Sequence, residues 1–294
     1  MSRSGKIKIE NFQSDFDIMG YPFVFVMTEE LIYKGRYRIH TYEIDFRGQA
    51  RLSSLLNYLQ DVAGAQALQF GFSVETLFRL GLTWVLSRYH LKIERYPLFG
   101  EKIEIHTWPS GRSEFHALRD WEAYDDSGEK ILAATSSWMI IDLKSKQPVS
   151  VDFLYKEKII LPRRALEDNF EPLPLLPSAE REVEFPVEMN HLDMNRHVNN
   201  VVYVQWALEA MPPEILWKEQ AVEIEVSYKA EALYGHTVLS RVFRPQQEEK
   251  EFWHQIVHGQ NGRELARLRT RWQTWKVQQN KNDNNNSSNG GRSA

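Results

Sequence analysis

The sequence predicts an α+β fold made of two tandem copies of one unit, a curved antiparallel sheet wrapped around a central helix. Three observations lead there. The order strand, Asp, helix, then four long strands occurs twice in the 294 residues, once on each side of a Pro-rich stretch. The copies align at distinctive points: Asp45 with Asp193, Asp61 with Glu209, and Tyr96-Pro-Leu-Phe-Gly100 with Glu231-Ala-Leu-Tyr-Gly235. Apolar residues make up 42% of the chain, enough for a packed core. Two such sheets in one chain are expected to pair edge to edge and so mimic a homodimer.

The elements follow in order. After an N-terminal extension (1–27), the first unit (28–160) opens with strand-like alternation from Tyr33 to Ile44. Asp45 follows, then a helical stretch from Ser53 to about Phe70. Strand patterns run over Leu82 to Glu94, Glu101 to Trp108, Ser113 to Tyr124 and Lys130 to Asp142, with Asp125-Asp-Ser-Gly128 as a hairpin turn. Pro162, Pro172, Pro174 and Pro177 mark 161–178 as a linker. The second unit (179–277) has a short strand at Arg181 to Glu188 and a helix from Asn200 to about Met211, stopped by Pro212-Pro213. Strands resume at Val222 to Lys229, His236 to Phe243, Glu251 to His258 and Glu264 to Trp275. The stretch 278–294 has no apolar residue before Ala294 and is expected to be a disordered tail.

Composition excludes several function classes. A net charge of −4 argues against a broad basic face for nucleic acid. The absence of cysteine removes disulfides, thiolate metal sites and a cysteine nucleophile, and suits a reducing cytoplasm. Met1 to Phe16 is polar and charged, unlike a secretory signal, and the apolar run Tyr21 to Met27 is too short to span a bilayer, so no stable membrane insertion is expected. There is no Gly-rich phosphate loop, so no cofactor is proposed. His254 and His258 have helix-like ligand spacing but lie in a strand pattern, so no metal is expected.

The chemistry concentrates in Asp193-Met-Asn195-Arg-His197-Val-Asn199-Asn200. In an extended stretch every second side chain points the same way, so Asp193, Asn195 and His197 are expected to face one pocket. A carboxylate, a neutral hydrogen-bonding group and an imidazole aimed at one spot are what hydrolysis of an activated acyl group needs. Asp or Asn ahead of a helix is usually a cap, which is the expected role of Asn199 and Asn200 side chains. Asp45 and Asp61 lack partners equivalent to Asn195 and His197, so only the second unit is expected to be catalytic.

These words, with Tyr228-Lys-Ala-Glu-Ala232, resemble the fatty acyl-ACP thioesterases of plants and their bacterial relatives, whose fold is a double hotdog. Asp45-Phe-Arg-Gly48, Ser53-Leu-Leu-Asn57-Tyr-Leu-Gln-Asp61 and Gly81-Leu-Thr-Trp84-Val-Leu-Ser-Arg88 are similar too, so the resemblance covers roughly residues 28 to 275. It implies hydrolysis of acyl-ACP to free fatty acid, ending elongation, with acyl carrier protein as partner and a homodimer left open. By the same analogy Glu231 is the base, Asn195 orients water or the carbonyl, His197 bonds the water or carbonyl and shuttles a proton, and Asp193 holds Asn195 or His197. Which of Asp193 and Glu231 is the base stays open. Backbone N–H groups of Val198, Asn199 and Asn200 are expected oxyanion donors at a helix start. Where many plant members carry a cysteine after the glutamate, this chain has Ala232, so the chemistry is expected to run through carboxylates and water. With no plastid leader apparent, a bacterial cytoplasmic enzyme is the expectation.

The resemblance also implies that the first unit holds the acyl chain. The helix face Leu56, Leu59, Ala63 and Ala67, with Trp84 opposite, is expected to set chain length, although core packing accounts for most such positions. Basic candidates for docking the acidic carrier are Lys34, Arg36, Arg38, Arg47, Arg51, Arg163, Arg164 and Lys229. Two alternatives remain at this stage: an acyl-CoA thioesterase on the same scaffold, and a non-catalytic acyl-binding sensor. Dehydratase chemistry is a weaker third.

Overall fold

The computed structural model describes residues 31–154, 159–246 and 248–276; the expected extension 1–27 and tail 278–294 lie outside the described residues. The first unit comprises β1 (Tyr33–Arg38), α1 (Leu52–Gln69), α2 (Val74–Arg79), β2 (Leu82–Ile93), β3 (Lys102–Arg112), β4 (Ala117–Asp125), β5 (Lys130–Asp142) and β6 (Pro148–Val149). The second comprises β7 (Arg181–Pro186), α3 (Asn200–Glu209), α4 (Pro213–Lys218), β8 (Glu219–Tyr228), β9 (Thr237–Phe243), β10 (Glu251–His258) and β11 (Glu264–Thr274). All strands join one sheet in the order β1-β3-β4-β5-β2-β8-β11-β10-β9-β7, with β6 paired to β5. The order reads the same from either end, and the seam is the antiparallel β2–β8 pair, with Arg88 opposite Ser227 and Lys92 opposite Glu223. This is the double hotdog that the repeat predicts.

Each unit buries its helix for a local reason. Along α1 the buried residues Leu52, Leu55, Leu56, Leu59, Val62, Ala63 and Gln66 recur at helical spacing. Trp121 on β4 is 1% exposed and donates its indole N–H to the Leu59 carbonyl, tying helix to sheet. In α3 the buried residues Val201 to Val204, Trp206 and Ala207 leave little polar face. The helix packs against α1 as well as β9, β10 and β11, and packing outweighs the weak helix propensity of its three valines.

Several boundaries differ from expectation. The strand from Tyr33 ends at Arg38, because the chain turns into a short 3₁₀ helix at Thr41–Glu43, where Glu43 accepts the His40 backbone N–H at 2.8 Å. The matching strand β7 stops at Pro186 before an equivalent turn at Met189–His191. Helices α2 and α4 and the short β6 were not predicted. Ser73 caps α2, accepting the Thr76 amide at 3.3 Å, and Pro213, read as a stop, is the first residue of α4, where a missing N–H costs nothing.

The linker is pinned rather than free. Ala165 donates to buried Asp120 at 2.8 Å, the Arg163 guanidinium stacks 4.0 Å from the Trp108 ring, and Asp168 lies 2.7 Å from His90. Farther on, the Leu173 carbonyl accepts from Arg267 of β11. The segment therefore straps both units across their seam.

Candidate active site

The segment 193–197 is a tight turn, which corrects the extended reading. Leu192 and Val198 form the bridge that closes it. Asp193 N–H donates to the His197 carbonyl at 2.8 Å, and Arg196 N–H to the Asp193 carbonyl at 3.0 Å. The Asp193 side chain explains why: its Oδ1 accepts the amides of Asn195 at 2.8 Å and His197 at 3.3 Å. An aspartate bonding the amide two residues on is an alternative to extended backbone that periodicity alone does not reveal. Asp193 therefore shapes the turn, and the loop's curvature, not a period of two, sets where Asn195 and His197 lie.

The first unit repeats this turn. Asp45 Oδ1 accepts the amides of Arg47 and Gln49 at 2.8 and 3.2 Å, and Ile44 bridges Ala50. Gly48 there has φ +75°, and its counterpart Arg196 has φ +63°. A side chain in this left-handed region costs roughly 1–2 kcal/mol, against roughly 0.5–1 for the extra unfolded-state freedom of glycine. Arg196→Gly is therefore expected to stabilise the protein by about 0.5 kcal/mol, read as a higher urea midpoint. A lower midpoint would mean that the Arg196 side chain contributes contacts of its own.

Asn199 is the N-cap of α3, accepting the Val201 amide at 2.9 Å. Two of the three expected oxyanion donors are already used: Val198 N–H donates to the Ala232 carbonyl at 3.1 Å and Asn199 N–H to the His191 carbonyl at 2.9 Å. The first-turn N–H groups of a helix have no partner within it, so of the three only the Asn200 amide stays available.

His197 and Glu231 meet. His197 Nε2 is 3.3 Å from Glu231 Oε2, with side chains 28% and 52% exposed, so the pair sits at the surface end of the site. The bridge between His197 and Leu233 holds the two segments together. Asn195 presents a buried Oδ1 with no partner among the described residues, an acceptor that needs a donor. Glu209, the counterpart of Asp61, is exposed.

In the first unit the equivalent positions are Arg47, Gln49 and Tyr96, and they do structural work. Arg47, whose side chain is 7% exposed, donates to the Leu216 and Glu219 carbonyls at 2.5 and 2.9 Å, and Tyr96 donates to the Ala221 carbonyl at 2.7 Å. The first copy of the site thus clamps the second unit. Arg47 is removed from the basic docking candidates, as is Arg164, whose side chain is largely buried against Asp120.

A small apolar cavity, partly open to solvent, lies between α1 and α3. Leu52, Leu56 and Gln60 of α1 face Asn200, Val201 and Val204 of α3 across it. Its floor is the seam, with Tyr89 and Leu91 from β2 and Val226 and Tyr228 from β8. Of the expected chain-length residues, Leu56 lines it. Leu59 and Ala63 are core instead, and Ala67 and Trp84 pack in a separate cluster around Phe72 and Leu77. Helical spacing marked a buried face without distinguishing side chains that meet a void from those that meet other side chains. The seam residues were missed, although the edge-to-edge pairing expected of the repeat was the signal for them.

His254 is fully buried, 2.8 Å from Thr270 Oγ1, and burial pushes its pKa down to about 3. His90, Glu223 and Glu225 bring three donor atoms within 4.8 Å of one another. Both His90 nitrogens, however, are taken up by Asp168 and Glu223, and Lys92, Arg269 and Arg271 balance the carboxylates. This is an ion-pair network at the seam.

The family model of the acyl-ACP thioesterase N-terminal domain matches residues 30–157, and that of the C-terminal domain matches 176–274. The chain belongs to the acyl-ACP thioesterase family. It is 30% identical over 264 residues to the chloroplastic oleoyl-acyl carrier protein thioesterase of Coriandrum sativum, covering 83% of this chain and 71% of that protein. It is 28% identical over 286 residues to oleoyl-acyl carrier protein thioesterase 2 of Arabidopsis thaliana, covering 84% and 78%. In fold it resembles the 12:0-ACP thioesterase of Umbellularia californica (TM-score 0.76, 22% identity, 85% of this chain and 100% of that one). An acyl-ACP thioesterase of Bacteroides thetaiotaomicron is similar (TM-score 0.73, 24% identity, 83% and 98%). Among the described residues no helix is long and apolar enough to cross a membrane.

Proposed function

We propose that this chain hydrolyses acyl-ACP to free fatty acid and carrier protein through carboxylate-assisted attack of water at the His197–Glu231 pair. The observation that carries the reading is the contact itself, His197 Nε2 3.3 Å from Glu231 Oε2, three residues ahead of Asn200, which lines the apolar cavity. Glu231 is the base: its carboxylate reaches solvent, whereas Asp193 Oδ1 is committed to the turn. Glu231 takes a proton from water as the oxygen bonds to the thioester carbon. The Asn200 amide, at the positive end of α3, meets the developing oxyanion. As the C–S bond breaks, the proton taken by Glu231 passes through His197 to the leaving thiolate, which restores the carboxylate. Asn195 orients the water or the carbonyl, and its unpaired Oδ1 is the acceptor suited to a water proton. One chain suffices, because β2 and β8 already pair the two units.

The test is release of free fatty acid from acyl-ACPs of graded chain length, with the matching acyl-CoAs alongside. Faster turnover of the carrier-protein thioesters is expected. Hydrolysis of acyl-CoA alone would favour the CoA reading, and acyl binding without hydrolysis would favour a sensor. Leu56→Phe narrows the cavity between α1 and α3. One methylene in an apolar pocket is worth about 10–200-fold, so this variant is expected to lower kcat/KM for the longest accepted chain by about tenfold and leave the shortest within about twofold. An unchanged profile would place the acyl chain elsewhere.

A further inference from the structure

The backbone around Glu231 is held from two sides. The Ala232 carbonyl accepts the Val198 N–H at 3.1 Å, and the Ala232 N–H donates to the Tyr203 hydroxyl at 2.9 Å. Both Ala232 and Tyr203 are buried, at 0% and 2% exposure, so neither bond has water as a ready substitute. Tyr203 lies on α3, one turn after the Asn200 amide, with its ring edge-on to Trp206 and Tyr228. Its hydroxyl thus links the helix start to the residue that follows the base.

The internal repeat supplies a comparison within the same chain. The bond from Val198 to Ala232 has its counterpart in the bond from Ala50 to the Pro97 carbonyl, and the bridge His197–Leu233 in Gln49–Leu98. By the same alignment Tyr203 corresponds to Leu55 and Ala232 to Pro97. Proline has no N–H to donate and leucine no oxygen to accept it. The unit without a His–Glu pair therefore lacks both partners of this bond, and the unit with the pair has both. A bond needed only for folding would be expected in either copy.

We infer that Tyr203 is a positioning residue for the thioesterase reaction, fixing Glu231 against His197 by holding the Ala232 amide. The inference rests on the reading that Glu231 is the base. Burial, then the nearby charges of Glu231 and Asp193, push the Tyr203 pKa upward, so the hydroxyl stays protonated while it accepts this bond.

A double-mutant cycle on the full chain tests it, using acyl-ACP hydrolysis with kcat and KM resolved. Tyr203→Phe keeps the ring and removes the acceptor. It is expected to lower kcat by about tenfold, with KM within about twofold. In a Glu231→Ala background the same change is expected to move the residual rate by less than about twofold, because the group being positioned is gone. An equal loss in both backgrounds, or no loss in the parent, overturns the role of Tyr203 while leaving the site reading intact. Full activity of Glu231→Ala itself overturns both. If Tyr203→Phe does not fold, Ala232→Pro removes the donor instead, as Pro97 does in the first unit. It is expected to cost a similar factor in kcat, and an unchanged kcat counts against the inference.

Discussion

Glu231→Gln in the folded protein lowers kcat on acyl-ACP by about 10²- to 10⁴-fold, the range for removing a general base. Glutamine keeps the size and one acceptor oxygen but takes no proton from water. KM is expected to change little, because on the proposed reading the acyl chain binds in the apolar cavity between α1 and α3, whose lining does not include Glu231. His197→Ala is expected to lose activity in the same range. With Nε2 of His197 only 3.3 Å from Oε2 of Glu231, the two act as a unit. The double variant should therefore cost little more than either single one, since groups acting together are strongly non-additive. The check is steady-state kinetics on the purified variants, with thermal melts to show that they remain folded. Both variants retaining rates within about threefold of the parent would remove this pair from the chemistry.

His90→Ala destabilises the fold by about 3 kcal/mol, at the lower end of the range for removing one partner from a buried ion pair. His90 sits on β2 at the seam, its side chain 9% exposed, with Asp168 of the linker 2.7 Å from Nδ1 and Glu223 of β8 2.9 Å from Nε2. Burial alone would lower its pKa. The hydrogen bonds to the two carboxylates outweigh burial and raise the pKa to about 9. The hydrogen bond from His90, against burial, holds Glu223 down to about 2. The sign for His90 follows from linkage. The folded value lies above the unfolded value of about 6.5, so the contribution is complete below about pH 6.5 and is lost as pH rises through about 9. The wild type should therefore lose stability relative to His90→Ala between those values, by up to about 3 kcal/mol. Urea denaturation of both proteins at pH 6, 7.5 and 9 reads this directly. Parallel stabilities across that range would mean that His90 is not charged in the folded seam.

Local patterns carried much of the architecture. The long strands and both central helices follow from periodicity, and the repeat followed from aligning Asp45 with Asp193 and Gly100 with Gly235. Short elements escaped, because a six-residue helix such as α2 or α4 offers barely two turns of pattern and depends on a start signal such as the cap Ser73 or Pro213 at the first position. The curled turn at 193–197 was recoverable in principle. Gly48 stands in the first copy where Arg196 stands in the second, and a glycine there signals left-handed backbone rather than a strand.

The site divides in the same way. Which residue types the proposed chemistry uses, and which copy of the unit holds them, was readable from Asp193, Asn195, His197 and Glu231 standing against Asp45, Arg47, Gln49 and Tyr96. Their order along the chain expressed this. Which amides are spent, which side chains border the cavity rather than the core, and that Arg47 and His90 join the units were decided only by the tertiary structure. Hydrogen-bond partners and voids depend on residues far apart in sequence, Leu216 against Arg47 or Tyr228 against Leu56, and no local period encodes those meetings.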